Sequence, residues 1–219
     1  MNENVMQQLK DATWDLHENA ENHTFQKSMA GGSLSRNGYV AHLVQMLFVH
    51  RALEERMQEL NNSDRFATVI HDYHFRADLV EQDLRYFDVD PSSVQPNEAT
   101  RQLIARMESL MNQGDAAVLG IHYVLEGSTN GSKFIAKSIR QSLKIDGDAG
   151  ASYLDPHGEE QRTRWKAFKT DMDAVGMNED ECRLATEAAR TMFEGTISIG
   201  ESLMLIESGA GGSSAGGTV

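Results

Sequence analysis

Long stretches of this chain run without a helix breaker. Only three prolines occur in 219 residues. Pro91, Pro96 and Pro156 each sit among turn formers, in "DVDPSSVQPNE" and "LDPHGEE". Proline fixes φ and removes a backbone donor, so it belongs in turns and at helix starts rather than inside helices. Between these breaks the apolar residues recur mostly three and four apart, the spacing of one helical face. Leu9, Trp14, Leu16 and Ala20 mark a first helix, expected to end at "MAGGSLS". Ser35 is placed to cap a long second segment over 36–60. A short apolar piece at 66–70 precedes the amphipathic "RADLVEQDLRYF". Asn97 can cap "EATRQLIARMESLM", and further helices are predicted over 116–143, 159–175 and 179–207. No run alternates at period two with β-branched enrichment, so strands are not indicated. The predicted fold class is all-α: one helical domain over residues 1–207, then a Gly/Ser-rich tail at 208–219 expected to be disordered.

Charge narrows the choice of partner. Twenty basic residues against 33 acidic ones leave a net charge of -13. Phosphates need Lys/Arg neutralisation, so this balance disfavours nucleic acid and anionic membranes. It suits solubility, or docking of a basic partner. The one cysteine, Cys182, forms no internal disulfide and reads as a buried, inert thiol. The N-terminal residues lack an apolar signal core, and no apolar run approaches the ~20 residues that span a bilayer. The default expectation is a cytoplasmic monomer with no membrane association.

Eight histidines are spread over several helices, and bundle cores often hold metals or cofactors. A di-iron carboxylate site would want Glu-x-x-His pairs, and the sequence has none. Cysteine-based zinc sites need more than one thiol. His17 has Glu21 one turn on along the same face, which makes the pair a candidate metal ligand with its orienting acceptor. A surface His/Glu pair is the competing reading. His23 is a rival ligand on a different face, and His71 and His74 could chelate. His50 could pair with Glu54 on its own helix.

The stretch "YVLEGSTNGSKFIA", Tyr123 to Ala136, places loop residues inside a helical pattern. Gly127 and Gly131 each cost a helix about 1 kcal/mol against alanine. At spacing i,i+4 they also expose a strip of bare backbone on one face.

With these features in hand, "LKDATWDLHENAE" followed by Phe25 resembles the N-terminal signature of haem oxygenases. In that signature Leu-Lys/Arg-x-x-Thr-x-x-x-His-x-x-Ala-Glu carries the proximal iron ligand, and Leu9, Lys10, Thr13, His17, Ala20 and Glu21 match it. "SLSRNGYVAHL", "RALEERM" and "RADLVEQDLRYF" are similar to later parts of the family pattern. "YVLEGSTNGSKFIA" resembles its distal helix in the bacterial form, and the resemblance covers residues 5–207.

The resemblance implies a single all-α domain with haem between the N-terminal helix and a kinked, glycine-containing distal helix. It implies oxidative opening of haem to biliverdin, with release of carbon monoxide and ferrous iron. The reaction consumes O2 and reducing equivalents from a ferredoxin or an NAD(P)H-dependent reductase. His17 would be the iron ligand and Glu21 its orienting partner. Gly127, Ser128, Asn130 and Gly131 would form the distal catalytic strip. Lys10, Lys166 and Lys169 would meet the haem propionates, and Ala20, Phe25, Met29 and Phe193 would be pocket positions. Animal members carry an aspartate in the distal helix, and this chain aligns Gly127 there. His50 falls where animal members place a tyrosine. The distal departures keep a second reading open, a haem carrier or sensor that does not turn over.

Overall fold

The computed structural model describes residues 4–60 and 65–210, and no strand occurs among them. Eight helices are described: α1 (Val5–Asn22), α2 (Thr24–Ala30), α3 (Arg36–Leu60), α4 (Ala77–Tyr86), α5 (Glu98–Met111), α6 (Ala116–Leu143), α7 (Gln161–Ala174) and α8 (Glu179–Ala210). Short 3-10 turns at Ala67–Val69, Asp72–His74 and Gly158–Glu160 link them. The two expected caps form. The Ser35 hydroxyl accepts from Gly38 N at 3.0 Å, and the Asn97 carbonyl accepts from Thr100 N at 2.9 Å.

Three expectations need correction. The first helix does not run on to "MAGGSLS". It ends at Asn22, His23 takes an extended backbone, and α2 restarts at Thr24. The His23 ring causes part of this, because its Nδ1 accepts from Phe25 N at 3.3 Å and so caps the new helix. The last helix runs to Ala210, past the expected limit of 207, while residues 211–219 of the expected tail lie outside the described residues. Cys182 is half-buried rather than buried. Burial, then Glu181 and Glu179, push its thiol pKa up.

α8 is the spine. α6 packs along it most extensively, and α1 and α5 lie on it as well. The first turns of α6, Ala116 to Ile121, are buried on every side, as expected of a helix apolar all round. Gly120 makes this possible, since a Cβ there would run into the backbone carbonyl of Ala185 on α8. Each Leu, Ile or Val buried in this seam contributes about 1.5–3 kcal/mol. α1 and α6 thus both pack on α8 rather than broadly on each other. The space left between α1 and the second half of α6 is the cavity described next.

The wall beyond α6 is irregular chain between α6 and α7. Asp83 of α4, fully buried, holds it. Its carboxylate accepts from Gly150 N at 2.9 Å, Ser152 N at 3.0 Å and Tyr153 N at 2.8 Å. These bonds bring Tyr153 and Leu154 to the cavity.

Candidate functional site

A cavity of about 1280 Å³ opens between α1, α2, α6, α7 and α8. That exceeds the ~300–1,000 Å³ typical of small-molecule sites. All thirteen candidate residues line it: His17, Glu21, Lys10, Ala20, Phe25, Met29, Gly127, Ser128, Asn130, Gly131, Lys166, Lys169 and Phe193. They come from five helices, so only the tertiary fold brings them together.

On the α1 side the His17 ring is stacked on Trp14, with centroids 5.6 Å apart and planes at 9°, and Phe193 meets its edge at 6.0 Å. His17 Nδ1 is shielded from solvent and makes no hydrogen bond. Its Nε2 lies 3.8 Å from Glu21 Oε1, with the two side chains 43% and 69% exposed. That separation is too long for a hydrogen bond, so Glu21 is beside His17 without fixing its ring. A half-turn of the imidazole exchanges nitrogen and carbon positions and gives Glu21 a different partner.

On the α6 side the helix is unbroken through the glycines. Gly127 faces Trp165, whose ring atoms lie 3.5 and 3.9 Å from where a Cβ would be. A Cβ on Gly131 would meet nothing within 4 Å, so the bare backbone there borders open cavity. The side chains between the glycines turn inward to their own helix. Ser128 Oγ donates to Leu125 O at 2.7 Å, Thr129 Oγ1 to Glu126 O at 2.6 Å, and Asn130 Nδ2 to Gly127 O at 3.0 Å. These i→i−3 bonds tie the Ser128 hydroxyl and one of the two Asn130 amide hydrogens, both candidate groups for the cavity, to the backbone.

Lys10, Lys166 and Lys169 are exposed at the mouth. Lys10 Nζ sits 5.7 Å from the Trp14 ring and Lys169 Nζ 6.0 Å from the Trp165 ring. Both cations are therefore steered by indoles that also line the cavity.

The rival histidines are engaged elsewhere. His23 caps α2 and does not line the cavity. His71 Nε2 faces Asp171 at 3.1 Å, and His74 Nδ1 accepts from His71 N at 3.1 Å. Among the described residues no group of three or more His, Cys, Asp or Glu could hold a metal ion. His50 is buried, with Nδ1 3.1 Å from Glu54 and Nε2 3.3 Å from the Tyr153 hydroxyl. Burial pushes its pKa down, and Glu54 offsets this in part.

The lining residues that sequence reasoning did not single out include Arg76, Tyr153, His42 and Phe134. Arg76 and Tyr153 stand outside helices, where no periodicity marks them. Phe134 carried the only available signal, since it lies three residues past Gly131 on the same helical face. It is 69% exposed.

A flat, dianionic, iron-bearing macrocycle fits this donor set. The half-exposed His17 imidazole, not held by Glu21, the open backbone at Gly131 and the basic mouth supply a ligand, a flat rest and counter-charges.

Comparison with known proteins agrees. The family described as heme oxygenase matches residues 3–201. A heme oxygenase of Guillardia theta is 25% identical over 180 residues, covering 80% of this chain and 76% of that protein. The structure of heme oxygenase-1 from the cyanobacterium Synechocystis in complex with heme superposes with a TM-score of 0.86 at 18% identity, covering 95% of this chain and 96% of that one. The heme oxygenase of Leptospira interrogans gives 0.84 at 20%, covering 91% and 100%. At those identities the superpositions establish the fold. No helix among the described residues is long and apolar enough to cross a membrane.

Proposed function

This chain belongs to the haem oxygenase family, and on that premise we propose that it opens haem to biliverdin, carbon monoxide and ferrous iron, using O2 and electrons from a ferredoxin or an NAD(P)H-dependent reductase. The observation that carries the reading is the single cavity shared by His17 of α1 and the bare strip at Gly127 and Gly131 of α6. A cytoplasmic setting goes with the lone thiol and acidic surface.

Haem, when bound, supplies the iron at which O2 is reduced and the ring that is opened. His17 would hold that iron through one imidazole nitrogen. Gly131 keeps α6 free of a side chain there, so bare backbone would border the bound haem. Lys10, Lys166 and Lys169 would meet the propionates at the mouth and set the rotation of the ring. Phe25, Met29 and Phe193 keep water from the apolar body of the cavity.

One observation favours a second reading, a carrier or sensor. α6 contributes no acidic side chain to the cavity lining, and its Ser128 and Asn130 donors are tied to backbone. A single experiment separates the two. Haemin is added to the protein with ascorbate or a reductase under air, with catalase present, and the visible spectrum is followed. Loss of the Soret band with growth of biliverdin absorption is expected. A stable Soret band under reducing conditions would establish the carrier, and no haem binding would sink both.

A further inference from the structure

Behind α6 lies a buried polar chain that the reading above leaves unused, and it ends on the cavity wall. Glu126, within the "LEGS" stretch, has 0% side-chain exposure, as does His157. His157 Nε2 lies 2.9 Å from Glu126 Oε1. His157 Nδ1 lies 3.2 Å from Arg164 Nη1. A guanidinium can only donate, so Nδ1 accepts and the ring hydrogen sits on Nε2, aimed at Glu126. Arg164 is itself held by Glu160, with Nε at 2.8 Å, at the protein surface. Burial alone pushes the Glu126 carboxyl up. The His157 hydrogen bond and the Arg76 charge outweigh it and bring it below its ordinary value.

The free oxygen of this carboxylate, Oε2, makes no hydrogen bond within the protein and lies 4.0 Å from Arg76 Nη2. Arg76 is 2% exposed and lines the cavity. Its backbone is anchored, since its N–H donates to Glu54 Oε1 at 2.6 Å and the next N–H, of Ala77, donates to the same oxygen at 2.9 Å. Its Nε has no partner in the protein, and its guanidinium lies 6.0 Å from the ring of Tyr153, another lining residue. A buried arginine beside a cavity with an unpartnered Nε–H is an unusual use of a buried charge, because such groups are normally satisfied.

We infer that Arg76, aimed by the buried Glu126–His157 pair, is the hydrogen-bonding group on which dioxygen reduction in this cavity depends, in place of an acid on α6. The inference rests on the haem-opening reading. A guanidinium keeps its protons at any working pH, so Arg76 acts by binding. It stabilises negative charge that develops as O2 is reduced, and it orders the water that brings protons from solvent. Glu126 and His157 are positioning residues, and Arg164 fixes the tautomer that lets His157 donate.

The test uses the haem-loaded full chain and the variants Arg76→Gln, Glu126→Gln and Arg164→Met. Haem affinity, from Soret titration, is expected to stay within about threefold, since none of these three groups is a haem ligand. Biliverdin formation is expected to fall roughly 10- to 100-fold for Arg76→Gln and Glu126→Gln, the scale of losing one preorganised donor, and less for Arg164→Met. The lost turnover should reappear as hydrogen peroxide, O2 leaving with two electrons and two protons, which a general loss of structure would not produce. Two further readouts do not depend on turnover. The C–O stretch of carbon monoxide on the reduced haem should rise when the positive donor is removed. Histidine 15N NMR of the haem-free protein should show His157 as the Nε2–H tautomer. Wild-type rate, coupling and C–O stretch in both Arg76→Gln and Glu126→Gln overturn the inference while leaving the functional reading intact. Wild-type protein that neither binds nor opens haem overturns the functional reading first. Should Glu126→Gln fail to fold by circular dichroism, Arg164→Met at the outer end decides by the same readouts.

Discussion

His17 and Glu21 are four residues apart on α1, 3.8 Å from each other and largely open to solvent. His157 and Glu126 are 31 residues apart, 2.9 Å from each other and fully enclosed. Both are histidine–carboxylate pairs, one on the cavity and one behind its wall, yet they do different work. The α1 pair is loose, so its histidine keeps a nitrogen for an outside ligand. The α6-side pair is committed on both ring nitrogens and serves to hold other protein groups in place. Solvent screens the first pair and leaves it weak. The second, in low dielectric, is costly to break because a charge would be stranded.

The largest effect should come from the exposed side. His17→Ala is expected to lower biliverdin formation at least ~100-fold, beyond the roughly 10- to 100-fold cost of losing only a group that orients a ligand, while the protein folds normally by circular dichroism. Added imidazole should restore part of the rate. A wild-type spectrum and rate in this variant would remove His17 from the site.

The buried side should show itself in stability. His157→Phe deprives Glu126 of its donor and is expected to cost about 3 kcal/mol in urea unfolding. An unchanged midpoint would place the two pairs in the same class and end the contrast.

Acid should act next, through the histidines whose pKa the fold lowers. Burial pushes His42 down from 6.5 to about 4, and His74 and His122 are lowered as well, in each case mainly by burial. Between those pH values the unfolded chain takes up protons that the folded chain refuses, so stability falls as pH falls. Going from pH 7 to pH 5 costs about 2 kcal/mol through His42 alone. His42→Phe should flatten the unfolding profile in that window, and an equally steep profile would point to other groups.

A smaller effect, of opposite sign for stability and function, is expected at Gly131. A Cβ there meets nothing, so Gly131→Ala should stabilise the haem-free protein by about 0.5–1 kcal/mol while weakening haem binding. Gain in both would show that α6 does not border the haem. The smallest change is expected from Glu21→Gln, which should leave stability unaltered and turnover within about threefold. A tenfold loss in a steady-state assay would mean that Glu21 closes onto His17 when haem binds.

Much of the fold was readable because helical periodicity is local. The limits of α6 follow from apolar spacing and turn residues, and the Asn97 and Ser35 caps from single side chains three residues from their donors. The break at His23 was not readable, since a histidine ring acting as a cap leaves no pattern. The candidate site divides the same way. His17, Glu21 and the glycines stand in short motifs. Arg76 and Tyr153 come from irregular chain, positioned by Glu54 and Asp83 far away in sequence.

The sequence by itself determined an all-α chain, a histidine with a carboxylate one turn on, and a helix thinned by two glycines, because each of these is a property of residues within a few positions of one another. Only the tertiary structure decided that Glu126, His157 and Arg76 meet. The reason is physical. A buried charge is tolerable only when partners from other elements surround it, and which elements those are is fixed by how α1 and α6 pack on α8, not by any local run of the chain.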